Sequence, residues 1–379
     1  MSPQGKTFGH DVLILGGGPA GAAAALSLRR HAPSLSVALV EQSGYDTPRV
    51  GETLPPTVQT VLERLGVWET FVGEGHVAAY GTCSAWGSDD LFDNEFIYHP
   101  AGRGWHLDRR RFDRMLAREA ADRGVTTYSG HKFTGSRHGG RGGWLLDAIS
   151  EQGGEVGIEA SFVIDATGRR AAFAAQRGVG KVLLDRLLGV SVTFGARDAE
   201  PFADTYTLVE AWEEGWWYSA LLPDDRVVVF CMSDADVVKR RGLKSAETWL
   251  GLLEQTRHTR ERVRHATPLG APSAHAAHTH RLERVTGDAW LAVGDAATTF
   301  DPLSSQGILK SLRAGVLASY AVADYFKGSA SGLEKYEALM TREFKDYLAA
   351  RADFYGRERR WEASPFWLRR QQLIRPATL

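Results

Sequence analysis

The run Asp11 to Gly21, DVLILGGGPAG, constrains this chain more than any other stretch. Asp11 to Leu15 reads as a strand with four consecutive apolar residues, the kind buried on both faces of a parallel sheet. Ala20 to Arg30, rich in Ala and Leu, reads as a helix, and Ser36 to Val40 as a second strand. A β-α-β unit this short demands a parallel sheet and a right-handed crossover. The turn between strand and helix is G-x-G-x-x-G, and Glu41 closes the second strand twenty residues beyond Gly21. Gly16 permits the tight turn, Gly18 lets the backbone approach a pyrophosphate, and Gly21 allows close helix–strand packing. Pro19 and Ala20 open the helix, whose free N–H groups and positive dipole end face the phosphates. The Glu41 carboxylate is placed to accept ribose hydroxyls and to repel a 2′-phosphate. The pattern predicts a dinucleotide site without separating NAD from FAD.

At 379 residues the chain is long enough for two closely joined domains. Its net charge of −1 offers no field to nucleic acid or an anionic membrane. Cys83 and Cys231 lie far apart, which argues against a disulfide framework, a zinc site or a thiol redox pair. No apolar run approaches the roughly 20 residues that span a bilayer, and residues 1 to 10 lack the charged and apolar regions of a signal peptide. The expectation is a cytoplasmic protein with no membrane span. Eleven Trp point to an aromatic pocket or interface.

Thr57 to Leu65, Arg109 to Arg123 and Gly307 to Phe326 show helical apolar spacing. Phe162 to Asp165 and Ala289 to Val293 read as buried strands. Leu187 to Gly195, Thr205 to Val209, Trp216 to Leu222 and Val227 to Met232 form a strand-rich middle. The predicted fold is α/β. Residues 1–75, 98–180 and 285–330 build a discontinuous Rossmann-type domain. Residues 76–97 and 181–284 build a substrate domain with an antiparallel sheet, and 331–379 form a helical C-terminal segment.

Three further segments resemble the FAD-dependent hydroxylases and halogenases of the para-hydroxybenzoate-hydroxylase-like fold. Leu107 to Leu116, LDRRRFDRML, is similar to that family's R-x-x-F-D-x-x-L helix, with Arg109 at the position near the flavin diphosphate. Asp165 to Gly168 resembles its D-A-T-G strand end. Gly294-Asp295, followed by Pro302 and Gly307 in GDAATTFDPLSSQG, resembles its G-D-x6-P segment. The resemblance implies non-covalent FAD. It implies an Asp295 on the ribityl hydroxyls and a helix N-terminus facing the flavin N1–C2=O. Arg49, Gly294 and Ile308 complete the implied cofactor set.

VGETLPP, from Val50, and PLSSQG point to the halogenase-like branch. A halogenase of this kind needs a Lys that receives hypohalous acid, yet no Lys lies between Lys6 and Lys132. Ser304 stands where indole halogenases carry Glu. Their W-x-W-x-I-P motif falls on Tyr218 to Pro223, without either Trp. The chain looks most like the LodB/GoxB-type flavoprotein maturases of tryptophylquinone enzymes. That implies a monooxygenase acting on an electron-rich aromatic, such as indole in a small molecule or in a Trp of a partner protein. Halogenation, and an assembly factor that mainly binds a partner, are the alternatives. No second G-x-G-x-x-G serves NAD(P)H, so transient NAD(P)H and external reduced flavin both stay open as reductant.

Thr53, Pro55, Ser304, Ser305 and Gln306 are the groups expected near the isoalloxazine. On a strand, Trp216 and Tyr218 share one face and Trp217 takes the other. Either set lines a substrate pocket, or all three are sheet-core aromatics. Glu52 reads as a solvated or capping residue before it reads as a base, and Lys310 and Asp301 as surface residues before flavin or substrate contacts. His275, His278 and His280 fit no metal-ligand spacing on a helix and read as a solvated linker, so no metal is expected. The basic run Arg357, Arg359 and Arg360 with Trp361 and Trp367 reads as a solvated helical tail or a surface for a partner protein.

Overall fold

The computed structural model describes residues 7–139, 143–196, 202 and 204–372. Its first strand, Thr7–Leu15, is central to a parallel sheet, between Glu155–Asp165 and Val37–Glu41. Trp290–Ala292 and Thr126–Ser129 extend the sheet outward in parallel. Val12, Leu13, Ile14 and Leu15 are almost fully buried, as a strand covered on both faces requires. Leu15 pairs with Asp165 on one side and Val40 on the other, so the chain leaves all three strands at one edge. Open parallel sheets bind ligands beyond such carboxyl ends.

The helix Pro19–His31 crosses back over this sheet and packs along Gly307–Phe326. Small residues allow the approach: Ala22 to Ala25 are fully buried, and the Ser319 hydroxyl donates to Ser27 Oγ at 2.8 Å.

A second sheet runs in the order Ala266–Pro268, Leu187–Ala196, Arg226–Asp234, Gly215–Leu222, Thr207–Trp212, Gly81–Ala85, Phe92–Glu95. It is antiparallel except where Thr207–Trp212 meets Gly81–Ala85. One face packs on Ala246–Leu253, whose Trp249 and Leu253 lie one turn apart. The strand-rich reading of this region omits that helix and Ala235–Arg241, because each is short and sits between strong strand patterns. The hairpin of His131–His138 with Trp144–Ser150 is also unannounced. Its first strand, HKFTGSRH, is polar and buries no residue completely.

The C-terminal segment departs from the solvated or docking tail expected of it. Ser331–Arg357 and Pro365–Gln372 fold back onto the chain's own second sheet. Trp367 is fully buried and donates its indole N–H to the Trp212 carbonyl at 3.1 Å. Arg370 bonds Asp234 at 2.8 Å and lies over the Phe366 ring, while Arg360 pairs with Glu358 at 2.6 Å. Arg357 and Arg359 are exposed, as a solvated tail requires, whereas Trp367 and Arg370 meet buried groups and belong to the interior.

Tyr355 joins this segment to both sheets. Its hydroxyl donates to Asp301 Oδ2 at 2.8 Å and accepts the Trp216 indole N–H at 3.0 Å. Tyr355→Phe strips one buried acceptor and one buried donor of a partner, a cost of roughly 1–3 kcal/mol. Urea denaturation, read by tryptophan fluorescence, should give that loss.

Candidate flavin site

Both sheets wall a cavity of about 500 Å³ at the carboxyl edge of the first one. The turn after the first strand forms one side. Gly16 has φ +107°, and a Cβ there would lie 2.2 Å from the Ala166 carbonyl oxygen. At Gly21 a Cβ would lie 2.0 Å from the Gly16 oxygen, so neither position admits a side chain. Gly18 differs: a Cβ would meet only Arg49 Nη1, at 4.0 Å. It is the N-cap of Pro19–His31 and brings no side chain to cap it, so the first-turn N–H groups are left for a ligand.

Glu41 lines the cavity and is already well bonded. Oε1 accepts from Arg49 at 2.9 Å and from the Ser43 hydroxyl and N–H at 2.7 and 3.0 Å; Oε2 accepts only the Gly17 N–H, at 2.7 Å. Oε2 therefore keeps a lone pair for one hydroxyl. Asp113, almost fully buried, holds two cavity-lining guanidiniums in place: Arg49 at 3.0 Å and Arg109 at 3.0 and 3.2 Å. Asp165 does not line the cavity. It accepts from Thr167, Phe173 and Ala174 and so shapes the turn that carries Ala166 to Gly168.

At the far side stand Asp295, Pro302, Ser305, Gly307 and Ile308, while Gly294 lies behind the cavity against Ala20. Lys310 corrects the sequence reading. It is 3% exposed and bonds Asp295 Oδ1 at 2.9 Å and the Thr298 carbonyl, with its ammonium over the Phe300 ring. The helix Gly307–Phe326 turns this position inward against the loop that precedes it. Burial pushes the Asp295 carboxyl up, but Lys310 and Arg169 outweigh it and hold it below the usual range. Its stabilising contribution is therefore complete at neutral pH and fades as pH falls below about 4. Asp295 is one-third exposed, so water screens the pair. Lys310→Met should cost about 2 kcal/mol in chemical denaturation at pH 7, with the gap from wild type closing below pH 4.

The remaining expected residues divide. Thr53 lines the cavity; Pro55 accepts Val58 N–H in a turn and does not. Ser304 bonds within its own turn, to the Asp301 carbonyl at 3.0 Å, and neither it nor Gln306 reaches the cavity. Of the aromatic run only Tyr218 lines it. Trp217 is fully buried on the opposite face against Trp249, and Trp216 is covered by Tyr355. Phe230, Met232 and His275 share the wall with Tyr218 and were not singled out from the sequence. For Phe230 and Met232 the signal exists, since they alternate along Arg226–Asp234 and register opposite Tyr218 and Trp216. His275, read as part of a linker, bonds Ser191 Oγ at 3.1 Å from the strand Ser273–Ala276. Glu52, read as solvated or capping, is 6% exposed; Asp301, read as a surface residue, is 1% exposed and caps Pro302–Ser304 by accepting the Leu303 N–H at 3.0 Å.

A hydroxyl chain lies beside Tyr218. Tyr218 and Thr53 oxygens are 2.6 Å apart, Thr53 and Thr207 3.4 Å, and Thr207 and His106 Nε2 2.9 Å. Burial pushes His106 down to about 3, so it is neutral at physiological pH.

These residues fit FAD. The bare Gly18 and uncapped helix start, flanked by Arg49 and Arg109, would hold the pyrophosphate; Glu41 a ribose hydroxyl; Asp295 the ribityl chain; and the start of Gly307–Phe326 would face the ring. Bound FAD supplies electron transfer and, when reduced, activation of O₂.

The comparisons with known proteins agree. A family model described as FAD binding domain matches residues 9–346. LodB of Marinomonas mediterranea, described as an FAD-dependent oxidoreductase, is 30% identical over 368 residues, 95% of this chain and 96% of LodB. The structure of CmlS, a flavin-dependent halogenase, superposes with TM-score 0.83 at 26% identity, over 95% of this chain and 67% of that one. Peptidyl tryptophan dihydroxylase QhpG, essential for tryptophylquinone cofactor biogenesis, shares the fold with TM-score 0.71 at 24% identity, over 96% of this chain and 78% of its own. With a family match over residues 9–346, which include every residue that lines the cavity, and LodB matched over nearly the whole of both chains, the chain belongs to the FAD binding domain family and is an FAD-dependent oxidoreductase.

Proposed function

We propose that this protein is an FAD-dependent monooxygenase that oxidises an electron-rich aromatic side chain, a tryptophan of a partner protein, during maturation of a quinone cofactor. The observation that carries the reading is a cavity lined both by the glycine turn, Arg49, Arg109 and Asp295 and by the nearly buried Tyr218, Phe230 and Met232. Such a wall receives a flat aromatic ring and excludes water from it. The match to LodB over nearly the whole of both chains supports this reading, as does the fold shared with a peptidyl tryptophan dihydroxylase.

Halogenation is the second reading, supported by the likeness to CmlS. The cavity's chemistry disfavours it. Among the described residues no lysine lines it, and Lys310 is tied to Asp295 and Thr298. The reductant is either NAD(P)H bound transiently or externally reduced flavin.

The test is oxygen consumption by the reduced holoenzyme with and without a tryptophan-containing peptide, followed by mass spectrometry. Addition of oxygen atoms to the peptide's tryptophan is the expected result. A brominated product in bromide buffer identifies a halogenase. A partner protein that binds without changing flavin reoxidation identifies an assembly factor, and either outcome overturns the proposal.

A further inference from the structure

Glu52 lies in the cavity wall next to Thr53, and its backbone carbonyl is fixed by the Leu107 N–H at 2.8 Å. Its carboxylate is only partly satisfied. Oε1 accepts the Gly51 N–H at 2.9 Å, the Glu52 N–H also acts on the carboxylate, and among the described residues no other donor reaches it. Arg109, whose charge acts on Glu52, gives its own N–H groups to Asp113 and to the Val50 and Gly51 carbonyls. Tyr218 and Thr53 are likewise engaged, in the hydroxyl chain that ends at His106. A carboxylate has about four acceptor positions, so Glu52 has room for a further donor brought by a ligand in the cavity. Tyr218 stands beside it, bonded to the adjacent Thr53, and Phe230 and Met232 line the same cavity.

We infer that Glu52 accepts the ring N–H of a heteroaromatic substrate and takes up that proton while the ring is oxidised, so that the site selects indole-like rings over rings without a donor. This rests on reading the aromatic wall of the cavity as the substrate end. As the N–H proton moves to Glu52, the ring carbon conjugated with that nitrogen bonds one atom of O₂. The oxygen–oxygen bond breaks, and the other atom leaves as water. The attacked carbon then sheds its hydrogen as a proton, and the nitrogen regains one from Glu52. The net change is insertion of one oxygen into a C–H bond, with two electrons from the reduced flavin and two protons forming the water.

Burial pushes the Glu52 carboxyl up to about 7, against the pull of Arg109 and the Gly51 N–H. A base that must accept and return a proton works best in that range. The titratable groups around it are Arg109 from the helix Arg109–Asp122, Tyr218 from Gly215–Leu222, and neutral His106 from the strand Gly104–His106, which pairs with Thr53–Leu54.

The FAD-loaded oxidised enzyme is titrated with indole and with 1-methylindole, read by perturbation of the flavin absorbance. At about pH 8 indole should bind roughly tenfold more tightly, and the gap should close below about pH 6 as the carboxyl takes its proton. Glu52→Leu should bind the two compounds equally. The wild-type comparison across pH stands even where the variant fails to load FAD. Equal affinities at the higher pH, a preference that survives in Glu52→Leu, or no perturbation by either compound overturns the inference. Binding is read without turnover, so this result is independent of whether a partner's tryptophan gains oxygen.

Discussion

Gly18→Leu should yield a folded protein that does not retain FAD. Gly18 has φ −73° and ψ −175°, extended backbone that any residue adopts. Its Cβ direction is open, with only Arg49 Nη1 at 4.0 Å. A leucine there strains nothing in the protein and fills the space in which the pyrophosphate must touch the helix start. The expected outcome is a colourless protein with a near-wild-type melting temperature and at least a hundredfold weaker FAD binding, about 2.7 kcal/mol. Gly21→Ala is the contrast. Its methyl would lie 2.0 Å from the Gly16 oxygen and 3.1 Å from Ile14 and Ala166. The turn must shift, at roughly 1–3 kcal/mol or more of stability. Bound-flavin absorbance and thermal unfolding separate the two defects, and a Gly18→Leu protein that purifies yellow at full occupancy would falsify the pyrophosphate assignment.

Glu52→Gln should make the FAD-loaded protein more stable at pH 8 and little different at pH 5. The folded protein holds the Glu52 proton up to about 7, against 4.5 in the absence of burial. A group that binds its proton more tightly in the folded state withdraws stability as pH climbs from the unfolded value, and the loss is complete above the folded one. At about 1.4 kcal/mol per pKa unit the penalty at pH 8 is roughly 3–4 kcal/mol. Glutamine has the same shape and no charge to bury. Thermal unfolding of both proteins across this range should show the curves diverging between pH 5 and 7. Parallel curves would mean that the carboxyl is solvated.

Much of the first sheet is legible from sequence because its signals are local. A run of apolar residues, a glycine turn and an alanine-rich stretch state strand, turn and helix within 25 residues, and Thr7–Leu15 and Pro19–His31 follow them closely. The long helix Gly307–Phe326 is equally plain. The polar hairpin from His131 and the short helices after Asp234 are not, since their amphipathic signal is weak or crowded by stronger strands. For the site, the turn glycines, Glu41, Arg109 and Asp295 are legible because each sits in a motif tied to an element end. Phe230 and Met232 are legible only once the register with Tyr218 is known.

The sequence by itself determined the dinucleotide turn and the presence of a second, strand-rich sheet, since these depend on neighbours in the chain; the flavin class came from the family resemblance of three distant segments. Only the tertiary structure decided that Lys310 is an interior partner of Asp295, that one aromatic of three meets the cavity, that Trp367 and Arg370 close on the second sheet, and that Glu52 is buried in the cavity wall. Burial is the physical reason. It is set by what packs from distant parts of the chain, and it alone separates a solvated charge from a buried one.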